Sequence, residues 1–212
     1  GTVQLEVLLF CERLRVARGQ SPRSGRPARH FPLATRHARA ASRLQQQVTV
    51  NFFRPTALRR VVQELDTRCD ALIAVNWLAL AEEGKSPDLP TPLSVSQVPL
   101  GEALSQMLDP LGLDYRAVDE RTIEVTTRAA ADAHFEREFY PIGALLTAGD
   151  TVPALTDRVR AQVNAETWQS NGGQGTVQFD EPSQCLIVLQ TQRGHMAIEQ
   201  YLDGLRAKAG KK

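Results

Sequence analysis

Two stretches of the chain carry the same spacing of apolar positions. Leu58, Val61, Val62, Leu65 and Cys69 form the first set, and Leu100, Ala103, Leu104, Met107 and Leu111 the second. Both fall at i, i+3, i+4, i+7, i+11, which lays each set on one face of a helix. A proline stands ahead of each (Pro55, Pro99), where its fixed φ suits a first turn. The run Ala71-Leu-Ile-Ala-Val75 follows the first helix as a strand, and Leu113-Asp-Tyr115 follows the second. Val48-Thr-Val-Asn-Phe-Phe53 and Pro92–Val98 read as the strands leading into these helices. Leu113–Val118 and Thr122–Thr126 pair around Asp119-Glu-Arg121 as a hairpin. Two prolines and a glycine make residues 84–91 a loop.

A second pattern begins after a helical connector at Arg128–His134. Phe139-Tyr-Pro-Ile142 is a strand. Val152, Leu155, Val159 and Val163 form a helical stripe, with Asp150 or Thr151 as N-cap and Pro153 in the first turn. Thr176–Phe179 and Cys185–Leu189 are strands around Asp180-Glu-Pro-Ser183, and Met196–Ala207 closes as a helix. The order β-α-β-β-α predicts a three-stranded sheet with two helices on one face. Near the start, Leu5–Ala17 reads as a helix with Val7, Phe10, Cys11 and Leu14 in one stripe. The same spacing recurs at Ile198, Tyr201, Leu202 and Leu205. Each stripe ends in Leu-Arg with a glycine beyond (Leu14-Arg15 and Gly19, Leu205-Arg206 and Gly210). The chain therefore reads as opening with the last helix of a module like the one it ends with. Gly19–Pro32 has linker composition, and Ala34–Gln46 suits a short helix with Ala38, Ala41 and Leu44 inward.

The predicted fold class is α+β: two small modules, each a short sheet with helices packed on it, preceded by a basic linker and a helix. The expected divisions are 1–18, the terminal helix of an upstream module; 19–45, the Arg-rich linker; 46–127, the first module; and 138–208, the second.

Composition changes little in this picture. Of 212 residues 42% are hydrophobic and 23% charged, ordinary for a globular protein. No apolar run approaches the roughly 20 residues of a membrane span. Gly1 stands where an initiator Met would, so the chain reads as a fragment and the lack of a signal peptide says nothing of location. Cys11, Cys69 and Cys185 have no C-x-x-C partner and are expected as three buried thiols. Charge is more telling. The net +1 hides nine arginines between Arg13 and Arg43, with no lysine and no acid, so the remainder sums to about −8. Such a segment is either an arm for nucleic acid or anionic lipid, or a connector lying on its own acidic modules. The second is the simpler reading. Arg23, Arg26, Arg29, Arg36 and Arg39 are its candidate electrostatic contacts. Pro22, Gly25, Pro27 and Pro32 prevent one continuous basic helix.

At Val48–Leu58, Pro92–Leu104, Pro110-Leu-Gly-Leu-Asp-Tyr115 and Thr122-Ile-Glu-Val-Thr126 the chain resembles the short N-terminal (STN) domain shared by secretins and TonB-dependent receptors. Val98-Pro-Leu-Gly-Glu-Ala-Leu-Ser-Gln-Met-Leu-Asp-Pro-Leu-Gly-Leu-Asp-Tyr115 is the most typical stretch. Ala144–Ala207 resembles the ring-building β-α-β-β-α modules that follow that domain in secretins. Trp168 with Gly172-Gly-Gln-Gly175 and Val188-Leu-Gln-Thr191 is similar to exported bacterial proteins carrying this domain pair. The resemblance implies a periplasmic module that docks proteins or stacks into assemblies. Residues 84–91 are longer than the usual connection, and no barrel-forming secretin region follows, so nothing here implies a pore.

No constellation points to catalysis. His30, His37, His134 and His195 lack metal-ligand spacing, and His195, at a helix start, reads as a surface or capping residue. Ser183 has no G-x-S-x-G elbow. Glu102, Asp119 and Glu120 read as helix and turn surface. No catalytic, metal or cofactor residue is implied. Gly172-Gly-Gln-Gly175 matches the G-x-x-G of nucleic-acid-binding KH domains. However, it precedes a strand, and Glu166, Gln169 and Asn171 beside it bring no positive charge, so a turn needing φ > 0 explains it better. Phe52 and Phe53 place one aromatic on each strand face. With Trp77 they are the candidate interaction surface, and Trp168, which reads first as a core or hairpin anchor, joins them if it is exposed. The expected function is a non-enzymatic protein-interaction or assembly module of a bacterial envelope protein in the periplasm, meeting a protein partner or itself. The alternative is nucleic-acid binding through the arginine segment and a KH-like second module.

Overall fold

The computed structural model describes residues 2–147 and 149–209. The fold is α+β, in two compact units: Gly1–Thr35 together with Phe135–Lys212, and Arg36–His134. The chain begins with α1 (Thr2–Ala17), which belongs to the first of these.

The unit Arg36–His134 runs α2 (Arg36–Leu44), β1 (Gln47–Ala57), α3 (Leu58–Arg68), β2 (Leu72–Val75), α4 (Trp77–Glu82), β3 (Pro90–Pro99), α5 (Leu100–Leu108), β4 (Leu113–Ala117), β5 (Thr122–Thr127) and α6 (Arg128–Asp132). β1 and β3 form an antiparallel ribbon, and a second sheet has the order β2-β5-β4. In that sheet β2 runs parallel to β5, while β4 and β5 make the expected hairpin. The Asp119 carboxylate closes the hairpin turn by accepting from the Arg121 and Thr122 amides, both at 2.8 Å. The two helical stripes meet in one core. Leu58, Val61, Leu65, Leu100, Ala103 and Leu104 are fully buried there, joined by Met107, Ile123 and Val125. Burying each large aliphatic contributes about 1.5–3 kcal/mol.

Two local expectations are corrected. Pro55 does not enter the first turn of α3; it lies on β1, and α3 starts at Leu58 after Ala57. The helix's orphan amides are instead taken by the loop before β3. Leu58 N donates to Leu89 O at 3.0 Å and Arg59 N to Pro87 O at 3.1 Å, so residues 84–91 cap a helix as well as connect strands. In α2 the inward residues are Ala40 and Leu44, four apart on one face, and Ala38 is exposed because it lies about 160° round the helix from Ala40.

The other unit contains α1, β6 (Phe135–Pro141), α7 (Gly143–Thr147), α8 (Val152–Arg160), β7 (Thr176–Asp180), β8 (Cys185–Thr191) and α9 (Gln192–Ala209). The sheet order is β6-β8-β7, antiparallel throughout. Tyr140, Ile142, Leu155, Val159, Leu186, Val188, Ile198 and Leu202 form its core. The predicted β-α-β-β-α order holds with α7 added, and α8 ends at Arg160, leaving Val163 beyond it. Of the thiols, only Cys185 is buried; Cys69 is half-buried and Cys11 exposed, and all three are free. Cys11 differs from expectation because α1 packs by another flank. Phe10 stacks on Phe139 with centroids 5.9 Å apart, and Arg13 reaches β6.

Candidate interaction surface

The β1–β3 ribbon holds the most exposed aromatic. Phe52 pairs with Leu93, but the next paired residues are Thr56 and Thr91, so Phe53, Arg54 and Pro55 stand opposite Pro92 alone. Neither proline has an N–H to give to a ladder, and the ribbon opens there into a bulge. Phe53, lifted by the bulge, is 96% exposed. Phe52 and Trp77 are half-buried against their own core. Trp168 is buried, its Nε1 donating to Arg160 O at 3.1 Å. It therefore offers no surface, and this corrects its place among the interaction candidates. In the same unit as Phe53, Leu72 on the edge strand β2 is 57% exposed and Leu78 on α4 is 72% exposed. Neither had been singled out in the sequence, since short runs give no face.

The arginines separate into two groups. Arg13 Nη2 lies 2.5 Å from Glu138 Oε2, a carboxylate with almost no exposure, and Arg13 Nη1 donates to Arg137 O at 2.8 Å. Arg18 forks onto both Asp180 oxygens and holds that carboxyl down at about 2. Arg39 is 3.7 Å from Glu120 and Arg43 2.5 Å from Asp70. Arg36 is half-buried on α2. Arg23, Arg26 and Arg29 are exposed; the Arg23 amide, not its guanidinium, is held, donating to the buried Glu12 carboxylate at 2.8 Å. Around them, Val16, Pro22, Arg26 and Pro27 line an open groove of about 640 Å³.

His195 is not a surface residue: it is 1% exposed. Its Nε2 lies 2.8 Å from Glu136 O, and its Nδ1 2.8 Å from Tyr140 Oη. A carbonyl only accepts, which puts the proton on Nε2 and makes Nδ1 the acceptor from Tyr140. Burial pushes the imidazole pKa down and the Tyr140 pKa up, so the pair rests neutral. With both nitrogens engaged, the ring locks β6 to α9 and has no free valence for a substrate. Ser183 Oγ donates to Asp180 Oδ2 at 2.6 Å inside a turn capped by Asp180. Among the described residues no three His, Cys, Asp or Glu side chains converge as a metal site.

The Gly172-Gly-Gln-Gly175 turn is built for packing. Gly172 has φ 89°. A Cβ on Gly173 would overlap the Thr167 and Glu166 carbonyl oxygens, and one on Gly175 would sit 2.7 Å from Gln190 Nε2. These glycines let the turn fold onto its neighbours. No described helix is long and apolar enough to cross a membrane.

No family model and no curated protein matches this chain. Among solved structures, the type IV competence pilus secretin PilQ of V. cholerae is 17% identical, covering 74% of this chain and 38% of its own, with a TM-score of 0.30. The N-terminal domain of the secretin XcpQ from Pseudomonas aeruginosa is 14% identical over 77% of this chain and 64% of its own, at TM-score 0.23. A structure of the enterotoxigenic Escherichia coli GspC–GspD complex from the type II secretion system is 16% identical over 78% of this chain and 99% of its own, at TM-score 0.24. The chain thus spans well under half of the PilQ length. PilQ and XcpQ are secretins, and all three likenesses lie at values too low to transfer any residue's role.

Proposed function

We propose that the chain is a non-enzymatic protein-interaction or assembly region of a bacterial envelope protein, with modules at 46–127 and 138–208. The observation that carries this reading is Phe53. A fully exposed Phe on a proline-stiffened bulge forfeits about 1.5–3 kcal/mol of burial unless something covers it, and it loses little side-chain entropy when covered. Leu72 and Leu78 add apolar area on the same unit. The sequence resemblance of residues 46–127 to STN domains supports a periplasmic setting and a protein partner or self-association.

The test is site-specific photo-crosslinking from position 53 in the full chain, with exposed Ser94 as control, alongside sedimentation of wild type and Phe53→Ser. Crosslinks unique to position 53, and association weakened at least tenfold by Phe53→Ser at unchanged melting temperature, are expected. Equal crosslinking from both positions and identical sedimentation would remove the basis of the reading. A salt-dependent mobility shift with single-stranded RNA or DNA, lost on replacing Arg23, Arg26 and Arg29 by Ser, would favour the nucleic-acid alternative.

A further inference from the structure

The amino-terminal half of α1 carries apolar side chains on several of its faces, with Gln4 and Glu6 between them. Val3, Leu5, Val7, Leu8 and Leu9 are all exposed, between 38% and 73%. Five exposed apolar side chains within seven helical residues call for cover. α9 shows what kind of cover. Val7, Phe10, Cys11, Leu14 and Arg15 stand in the places of Ile198, Tyr201, Leu202, Leu205 and Arg206. Ile198 and Leu202 are fully buried against the β6-β8-β7 sheet, whereas Val7 is 55% exposed and Cys11 is open. Three flanking positions agree: Phe10 and Leu14 are half-buried, as are Tyr201 and Leu205, and Leu5 is exposed like Met196 in its place, whereas Glu12, which accepts from the Arg23 amide, is buried where Asp203 is exposed. The stripe that faces the sheet in α9 at Ile198 and Leu202 lacks cover in α1 at Val7 and Cys11.

That stripe is free to be used. α1 meets β6 through Arg13, and Cys11, two positions away, points about 160° round the helix from it. One helix can thus hold β6 with one flank and a second sheet with the other. We propose that α1 is the closing helix of a second three-stranded sheet of the β-α-β-β class, contributed by residues N-terminal to α1, and that Val7 and Cys11 face it. The direction follows from α9, which leaves β8 with no intervening residue: Thr191 ends the strand and Gln192 starts the helix. The partner sheet is not a literal copy of β6-β8-β7. Gly194 is a glycine because a Cβ there would overlap Gln190 Cγ, and Val3 stands in its place in α1. The sheet that receives α1 must carry a smaller residue where Gln190 stands. The inference goes beyond the interaction reading and holds whether or not Phe53 meets a partner.

The experiment joins a second copy of residues 135–191, carrying Gln190→Ala, directly ahead of Gly1 in the full chain. Alkylation of Cys11 is then followed by peptide mass spectrometry. Cys11, in the place of Leu202, should react at least tenfold more slowly than in the unfused chain, and the Val3–Leu9 amides should gain exchange protection. In a control fusion the added copy runs to Ala209 and so brings its own closing helix; Cys11 should there stay as reactive as in the parent. Reaction within twofold of the parent in the first fusion overturns the proposal. So does an added sheet that folds only with its own helix, judged by circular dichroism. Protection of Cys11 in the unfused chain that grows with protein concentration would assign the stripe to a second copy of the chain and also overturn it.

Discussion

His195 turns the interior of the β6-β8-β7 unit into a measurable pH dependence. Its folded-state pKa lies below the usual 6.5, chiefly through burial; the Glu136 and Gln190 backbone and the Glu138 charge pull it up, and the Arg13 charge pushes it further down. The unfolded chain therefore binds the proton more readily. The stability tied to the neutral ring is whole above about pH 6.5 and is lost as pH falls below it, until the folded-state pKa is passed. The slope from one such group is at most about 1.4 kcal/mol per pH unit. Protonation also reverses the role of Nδ1, which would then donate toward a Tyr140 hydroxyl that is itself a donor there.

The groups around it titrate too. Burial raises the Glu199 pKa, so its contribution has the opposite sign, present at low pH and lost as pH rises through its folded-state value. It is common to wild type and variant and cancels in their difference. Urea melts of His195→Gln and wild type between pH 5 and 7.5, followed by Trp168 fluorescence in a Trp77→Phe background, isolate this unit. The wild-type midpoint should fall with acid more steeply than the variant's. Tyr140→Phe leaves a buried acceptor unpaired and should cost about 1–3 kcal/mol at pH 7.5. Parallel pH profiles for wild type and His195→Gln would refute the assignment of a buried neutral ring.

Leu65→Ala or Leu104→Ala, both in fully buried positions, should each cost about 2–5 kcal/mol in denaturant melts; a loss below about 1 kcal/mol would mean the helix faces are misplaced. Gly173→Ala should cost about 1–3 kcal/mol by overpacking against Thr167, whereas Gly172→Ala should cost about 1–2 kcal/mol through its left-handed φ alone; equal tolerance of both would speak against the turn's packing role. Arg13→Met takes the Arg13 charge away from the buried Glu138 carboxylate and should cost about 3–5 kcal/mol, with much of it regained in Arg13→Met/Glu138→Met; additive losses in the double variant would show that the pair is not coupled.

The 3.6-residue periodicity made α3 and α5 legible because their stripes are complete and both close on a single core. The β4–β5 hairpin was legible because its turn is encoded locally by Asp119. Phe53 was only half legible. An aromatic pair on a strand shows that one ring faces outward, but how far outward depends on the register of β1 against β3, some forty positions on in the chain. His195 was misread for a related reason. Its neighbours in sequence mark a helix start, while its partners, Glu136 and Tyr140, come from β6 at the far end of the module. Cys11 looked like core because α1 repeats the α9 pattern, and its exposure is what separates the pattern from the cover it calls for.

The basic segment illustrates how contacts change what a charge count means. Nine arginines without an acid would suit a polyanion, yet Arg13 and Arg18 are engaged by Glu138 and Asp180, and Arg39 and Arg43 by Glu120 and Asp70. Glu138 is itself buried, so releasing Arg13 to a phosphate would take a charge partner from a carboxylate inside the protein. The exposed guanidinium groups of Arg23, Arg26 and Arg29 remain. Three phosphate contacts correspond to a salt slope of about −2 on single strands and about −2.7 on duplex DNA, well short of what a dedicated nucleic-acid binder shows. The glycine turn is shaped by its contacts with Thr167 and Gln190. The charge that stood out in the sequence is largely spent on holding the chain to itself, and the exposed apolar side chains, Phe53 first among them, are what the described fold leaves uncovered.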